Sequence, residues 1–241
     1  MGRTARQAAW RDPLAGGLRK LPVQERSRAM VAQVLETAAE LVENLGYEAV
    51  VGSPTLLLEK SGVSRGSFYA FFESPERVLE ELCHRQMRTS TEGLERVLRD
   101  RPGAHWTEIV DILIGYYTDE HRNPLIRELW VRQNLTVRMR ELDEIYLDEW
   151  AGHLLREFRR HAPLFAELDR LHVSVALHAI ERLFQFAFTD HEDGDPDVIG
   201  QAAFMLTQFF AAHANASPPA IRRARRPVQD DLVQIATSFA K

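Results

Sequence analysis

The chain has 241 residues, 45% of them hydrophobic and 27% charged, with a formal net charge of −5. That composition is ordinary for globular proteins and gives length for one or two domains around a sizeable core. It excludes a protein that is basic throughout, so any contact with nucleic acid has to be local. A single cysteine, Cys83, leaves no internal disulfide framework and no cysteine-based zinc site, and fits a reducing compartment. No apolar run approaches the roughly 18 residues of a membrane span and no export signal is visible, so the expected location is the cytoplasm, with no membrane partner.

Residues 1–24 are rich in Arg, Gly and Pro and lack a helical stripe, which predicts a basic, flexible N-terminal arm. Residues 1–30 hold seven Arg and Lys against two acids, so the negative excess lies in the rest of the chain. Met30, Val34, Leu35, Ala38, Leu41, Val42 and Leu45 recur at helical spacing up to Gly46 and predict a first helix over 26–45. Further along, a short polar residue precedes proline at Ser53-Pro54, Ser74-Pro75, Asn123-Pro124, Asp195-Pro196 and Ser217-Pro218. Each pair marks a helix start, because the polar side chain accepts from an orphan amide and proline lacks an N–H where none is needed.

These marks place helices at about 54–61, 65–72, 75–100, 105–121, 124–134, 137–160, 166–190 and 196–215, with a last short one over 228–239. Period-two runs of β-branched residues are missing, so the fold class is all-α. Residues 54–72, PTLLLEKSGVSRGSFYAFF, read as helix, tight turn, helix. Gly62 suits a positive φ at the exit of the first helix, Val63 fills the angle, Ser64 caps the second helix, and Leu57, Leu58, Phe68 and Phe72 supply the apolar faces. The implied layout is an arm (1–24), a helix-turn-helix unit (25–74), a larger helical domain (75–216) that begins with a linking helix (75–100), and a C-terminal tail (217–241).

Gly46-Tyr47, the run Gly62-Val63-Ser64-Arg65-Gly66-Ser67-Phe68-Tyr69, Phe72 and Ser74 together resemble the DNA-binding domain of the TetR/AcrR family of transcriptional regulators. The likeness is specific over about 26–82 and rests on helical layout beyond that. It implies that the N-terminal end of helix 65–72 enters the major groove, where Ser64, Arg65, Gly66 and Ser67 let the backbone approach phosphates and base edges and Arg65 can pair with guanine. Glycine costs about 1 kcal/mol inside a helix relative to alanine; at Gly66 the reason is either close approach to DNA or simple tolerance at an exposed position. Tyr69 is implied as a phosphate contact, the other reading being a core tyrosine with its hydroxyl at the rim. Ala70 lies near bases, Phe71 sits beside the outward face, and Ser53 and Thr55 at the start of the first motif helix complete the DNA-facing set.

Two departures from the family pattern stand out. The stretch between Tyr47 and Gly62 is about two residues longer than usual, with Leu58 and Ser61 where small alanines are typical, and Pro75 replaces a frequent phosphate-contacting lysine. Basic residues of the arm and first helix, Arg19, Lys20, Arg26 and Arg28, are positioned to compensate by following phosphates or the minor groove.

In the larger domain Trp106, Tyr116, Tyr117, Trp130, Trp150, Phe184 and Phe188, interleaved with Gln133, Asn134 and His153, either fill a helical core or line an apolar pocket. The resemblance implies the pocket and a small-molecule effector. Helices 166–190 and 196–215 are apolar over wide arcs and need cover on more than one side, which a second copy would supply as an isologous four-helix interface. No two histidines stand at the i, i+4 spacing of a helical metal site, and the acidic turn 190–195 lacks the closing glutamate of a calcium loop, so no metal or cofactor is expected. Cys83 reads as a small buried residue, and Arg222, Arg223, Arg225 and Arg226 form a second basic cluster in the tail. The expectation is a non-enzymatic, ligand-responsive regulator, a repressor that binds a roughly palindromic double-stranded operator as a homodimer and is released by a small hydrophobic or amphipathic effector. The alternative is a ligand-independent helix-turn-helix dimer that represses or activates constitutively.

Overall fold

The computed structural model describes residues 12–100 and 105–214. Among them every regular element is helical, and a lone antiparallel bridge between Leu18 and Phe72 is the one β-type pairing. Helix α1 (Glu25–Leu45) ends at Gly46 with φ 83°, and α2 (Tyr47–Gly52) follows at once. Then come α3 (Pro54–Ser61), α4 (Arg65–Tyr69), the long α5 (Pro75–Asp100) and α6 (Thr107–His121). A short α7 (Pro124–Ile126) runs into a π-helical turn (Arg127–Val131), followed by α8 (Val137–Arg159), α9 (Arg170–Ala187) and α10 (Pro196–Ala214).

The polar-proline marks act as expected at the described positions. Ser53 Oγ accepts from Leu56 N, Ser74 Oγ from Arg77 N, Asn123 Oδ1 from Leu125 N, and Asp195 Oδ1 from Asp197 N and Val198 N. Ser217-Pro218, the expected helix over 228–239 and the Arg222–Arg226 cluster lie outside the described residues. Helix α2 was not expected. Six residues are too few to show a helical period, yet α2 occupies the longer stretch between Tyr47 and Gly62 and buries Val50.

Helix 124–134 was expected to be continuous, and the π turn corrects it. Arg132 N–H reaches the Arg127 carbonyl at 3.0 Å and Asn134 N–H reaches that of Leu129 at 2.9 Å, each five residues back, before Gln133 turns out at φ 60°. The extra residue in the turn changes the phase of the chain, as such insertions do. Glu128 is thereby buried towards α2 while Trp130 reaches a cavity further down.

Two apolar clusters hold the chain together. One fills α6, α9, α10 and the second halves of α5 and α8. The other joins α1 to α4 with Val78, Leu79, Cys83 and Met87 of α5, Leu125 and Leu129, and Met139, Leu142 and Tyr146 of α8. The core of the small N-terminal unit therefore runs on into the helices of the larger domain, and Cys83 is buried in it.

Residues 12–20, read from composition as part of a flexible arm, are docked, and that reading is corrected for them. Leu18 is 7% exposed and packs in the second cluster. Arg19 N–H donates to the Phe71 carbonyl at 2.9 Å, Gly17 N–H to Glu81 Oε2 at 3.2 Å, and Arg138 Nη2 to the Ala15 carbonyl at 2.8 Å. A Cβ at Gly17 would run into the Arg77 carbonyl, so glycine here serves close packing of main chain on α5. Residues 1–11 lie outside the described residues.

Gly17→Ala should accordingly cost about 1–3 kcal/mol through forced displacement, lowering the melting temperature by roughly 3–9 °C. Gly66→Ala, where a Cβ would meet open space, should leave it unchanged or raise it slightly. Equal melting temperatures for Gly17→Ala and the parent would contradict the docking.

Candidate DNA-reading surface and effector cavity

The short helix α4 is positioned by two phenylalanines. Phe68 and Phe72 are 1% and 0% exposed, with ring centroids 5.7 Å apart, and Leu57 of α3 is equally buried beneath them. Gly62, with φ 64°, sends its N–H back to the Leu58 carbonyl and turns the chain between the helices. Ser61 is buried, but its hydroxyl donates to the Leu58 carbonyl and its own carbonyl accepts from Gln33 Nε2 at 2.7 Å. A serine therefore fits where a small apolar residue was expected, because its polar atoms are met locally.

With the phenylalanines facing inward, Ser64, Arg65, Gly66 and Ser67 are all exposed. Ser64 caps the helix by accepting from Ser67 N, and its hydroxyl donates to the Ser67 hydroxyl at 2.8 Å. The first turn is thus fixed before any ligand arrives, and its free amides and small side chains form a surface that can meet phosphate and base edges. Packing does not explain Gly66, whose missing Cβ faces open space. Tyr69 is half-buried, edge-on to Phe68 at 5.2 Å, and Ala70 and Phe71 are half-buried beside it. Thr55 is exposed, whereas the Ser53 hydroxyl is engaged in capping α3.

The docked segment brings two cations to the end of α4. Arg19 Nη1 donates to the Tyr69 carbonyl at 3.3 Å, and Lys20 Nζ lies 5.0 Å from the centre of the Phe71 ring. Phe71, which cannot hydrogen-bond to DNA, is thus a platform for a lysine. Arg26 and Arg28 are exposed at the start of α1, where Arg28 Nε donates to the Pro22 carbonyl at 3.3 Å.

A cavity of about 80 Å³ lies between α5, α6, the π turn, α8 and α9. Three of the expected pocket residues, Tyr117, Trp130 and Trp150, line it. The others stand elsewhere. Tyr116 sends its hydroxyl to the Ser90 carbonyl and faces an outer dimple beside Val97 and Ile112. Trp106 packs edge-on against Phe165 in the distal core, and Phe184 and Phe188 stack around His121 behind the cavity wall. His153 pairs with Glu95 at 2.7 Å, and Asn134 Nδ2 holds the Glu128 carbonyl at 2.9 Å. Gln133 faces a separate surface groove that shares Trp130, Asp143 and Glu181 with the cavity.

Sequence reasoning passed over the polar lining. Gln86 and Ser90 of α5 both donate to Glu120 Oε2, and Trp130 Nε1 donates to Asp143 Oδ1 at 3.1 Å. Burial, with Asp143 nearby, pushes the Glu181 carboxyl up to about 8; burial likewise lifts Asp143 to about 6, against the hydrogen bond from Trp130. His121 is pushed down to about 4 by burial and is neutral near pH 7, its Nδ1–H donating to the Tyr117 carbonyl at 2.8 Å. The missed acids have no motif of their own. They become a set only when α6, α8 and α9 converge.

Two buried carboxylates join the halves of the chain. Glu80 of α5 accepts from Arg77 at 2.5 Å, from Thr136 Oγ1 at 2.8 Å and from Arg138 at 3.2 Å. Glu128 of the π turn accepts from the Tyr47 backbone N–H at 2.9 Å and from Arg132 at 2.5 Å. Among the described residues no helix is long and apolar enough to cross a membrane, and no group of three His, Cys, Asp or Glu could hold a metal ion.

No family model matches the sequence, and no curated protein matches it. Solved structures do. A TetR-family transcriptional regulator from Streptomyces coelicolor superposes with a TM-score of 0.60 at 20% identity, covering 76% of this chain and 98% of that one. A gamma-butyrolactone receptor, described as ArpA-like, aligns with a TM-score of 0.45 at 16% identity, over 78% of this chain and 99% of that one. The chain has the all-α fold of the TetR-family regulator.

An acid whose folded pKa is raised holds a proton in the folded chain that the unfolded chain has already released. Its contribution to stability is therefore complete below the ordinary Glu value of 4.5 and is lost as pH rises towards about 8. Glu181→Gln should flatten the fall in melting temperature over that window. At pH 8.5 it should melt at least ~2 °C above the parent, the shift that about 1 kcal/mol gives in a chain of this size, with the gap closing near pH 5. Parallel pH profiles for the two proteins would contradict the placement of Glu181.

Proposed function

We propose that this protein is a ligand-responsive transcriptional regulator that binds a roughly palindromic operator as a homodimer, represses there, and is released by a small effector in the cavity below α5. The observation that carries the reading is the exposed, pre-capped Ser64-Arg65-Gly66-Ser67 turn held on a buried Phe68–Phe72 base. It is supported by the likeness in fold to a transcriptional regulator of the TetR family.

Dimerisation follows from what α9 and α10 leave uncovered. Leu171, Val175 and Phe186 of α9 are 68%, 51% and 67% exposed, and Phe204 of α10 is 61% exposed. Large apolar side chains grouped on two adjacent helices call for a partner surface, and a second copy supplies a self-complementary one. Two α4 helices at a fixed separation then meet successive major grooves.

Release is a linkage between sites. Met87 and Ser90 of α5 line the cavity, while Val78 and Leu79 near its start pack in the same cluster as Phe68 and Phe72. A ligand that fits a wider cavity better favours another α5 and π-turn arrangement, and the affinity for DNA falls by the difference in binding free energy. One observation favours the ligand-independent alternative: the cavity, about 80 Å³, is below the roughly 300–1,000 Å³ of most ligand sites. An effector therefore has to open it, and a regulator without one would leave it closed.

Selection of bound duplexes from a random pool, followed by anisotropy titration, tests the reading. Arg65→Ala should weaken specific binding by about 10–100-fold, the 1–3 kcal/mol of one bidentate base contact, with an unchanged melting temperature. Arg19→Ala with Lys20→Ala should weaken binding to all sequences and reduce the salt slope. Phe186→Glu with Phe204→Glu should convert dimer to monomer in analytical ultracentrifugation and abolish binding to the two-half-site duplex. Failure to enrich any site would overturn the proposal.

A further inference from the structure

The electrostatics of the cavity are one-sided. Three carboxylates line it, Glu120 from α6, Asp143 from α8 and Glu181 from α9, and no lysine or arginine does so among the described residues. Its histidine, His121, is neutral and turned to a backbone carbonyl. Glu120 is accounted for by its hydrogen bonds from Gln86 and Ser90. The other two acids are not matched in this way. Asp143, half-buried, takes a hydrogen bond on Oδ1 from Trp130, and since no buried side-chain oxygen among the described residues lacks a partner, its Oδ2, which takes none, is open to the space beside it. The positive group whose charge acts on both acids is His178, whose Nε2 is already given to Glu144 at 2.9 Å.

Around these acids the walls are aromatic. Trp130, Tyr117, Tyr146 and Trp150 line the same space, with Tyr117 and Trp150 edge-to-face at 5.5 Å. Aromatic faces attract cations through their quadrupoles, and half-buried carboxylates short of protein donors beside such faces favour a cationic guest over a neutral or anionic one. Trp130, Asp143 and Glu181 also border the surface groove of about 370 Å³ that carries Gln133. The two acids thus stand where the groove meets the inner cavity. Among the described residues the groove's one cation, Arg140, is accompanied by Glu141 and Glu144.

We propose that the effector is a small organic ammonium compound, its charged head set between Asp143 and Glu181 and its apolar body against Trp130, Tyr117 and Trp150. The inference rests on the reading of this cavity as the effector site and adds the chemical class of the ligand. A primary ammonium fits best, since it has three N–H donors and no acceptor, matching carboxylate oxygens that lack donors. At neutral pH its arrival displaces the proton that Glu181 otherwise holds, so the second carboxylate of the pair becomes charged only when a cation is present to meet it.

Matched probes separate charge from shape. Benzylammonium and benzyl alcohol, and phenethylammonium and phenethyl alcohol, have the same skeletons and differ in the head group. Binding to the full-length protein is followed by calorimetry and by the fluorescence of Trp130 and Trp150. The expected result is that each ammonium binds about tenfold or more tightly than its alcohol, and that the ammonium but not the alcohol weakens operator binding. In Asp143→Asn with Glu181→Gln, near-isosteric changes that remove like-charge repulsion, the preference for the ammonium should disappear while the alcohol's affinity stays within about twofold. Each single variant, checked for a cooperative thermal transition, should lose part of the preference. Equal binding of ammonium and alcohol to the parent, or a preference that survives in the double variant, overturns the cationic assignment and leaves the cavity as an effector site. If neither ammonium nor alcohol binds the parent at millimolar concentration, the cationic assignment falls together with the effector-site reading.

Discussion

A carboxylate taken out of water inside a helical protein is costly unless donors meet it, and at Glu80 and Glu128 the donors come from across the boundary between the two halves of the chain. Glu80, near the start of α5, is met by Thr136 and Arg138 at the start of α8, and Arg138 reaches on to the Leu14 and Ala15 carbonyls. Glu128, in the π turn, is met by the backbone N–H that opens α2. The relation of the helix-turn-helix to the cavity is therefore set by charge-assisted hydrogen bonds as well as by apolar packing. Moving either half alone would leave an acid buried and short of donors. That cost is what makes the two halves shift together or not at all.

Much of this was legible in the sequence because it is local. Helix limits followed from caps and prolines, and the turn at Gly62 from the need for a positive φ, which is observed at 64°. Of the apolar set Leu57, Leu58, Phe68 and Phe72 read from the sequence, Leu57, Phe68 and Phe72 are buried and Leu58 is half-buried. What could not be read was set by tertiary contact. Helix α2 is too short to show a period. The docked segment is held largely through main-chain groups at Gly17, Arg19, Leu14 and Ala15, and side-chain composition carries no sign of them. The same glycines that look like disorder in a list of residues are needed there for close approach.

The candidate pocket divides in a similar way. Tyr117, Trp130 and Trp150 were found because large aromatics draw attention, and Trp106, Phe184 and Phe188 were grouped with them for the same reason although they serve the distal core. Aromatic content alone does not separate a lined void from a filled one. The acids were missed for the converse reason: on any single helix Asp143 or Glu181 looks like a solvated surface charge, and only the π turn and the packing of α8 on α9 enclose them.

Helix α5 spans 26 residues, and the interval from Ser90 at the cavity to Val78 under the helix-turn-helix is about 18 Å at the usual helical rise. Over that arm a tilt of only about 5° displaces the far end by about 1.6 Å, about three times the roughly 0.5 Å range of an N–H···O hydrogen bond. Under the proposed function, a stiff rod that lines a small void at one end would act as a mechanical amplifier. A guest far smaller than an operator would have enough leverage to spoil the fit without unfolding any element.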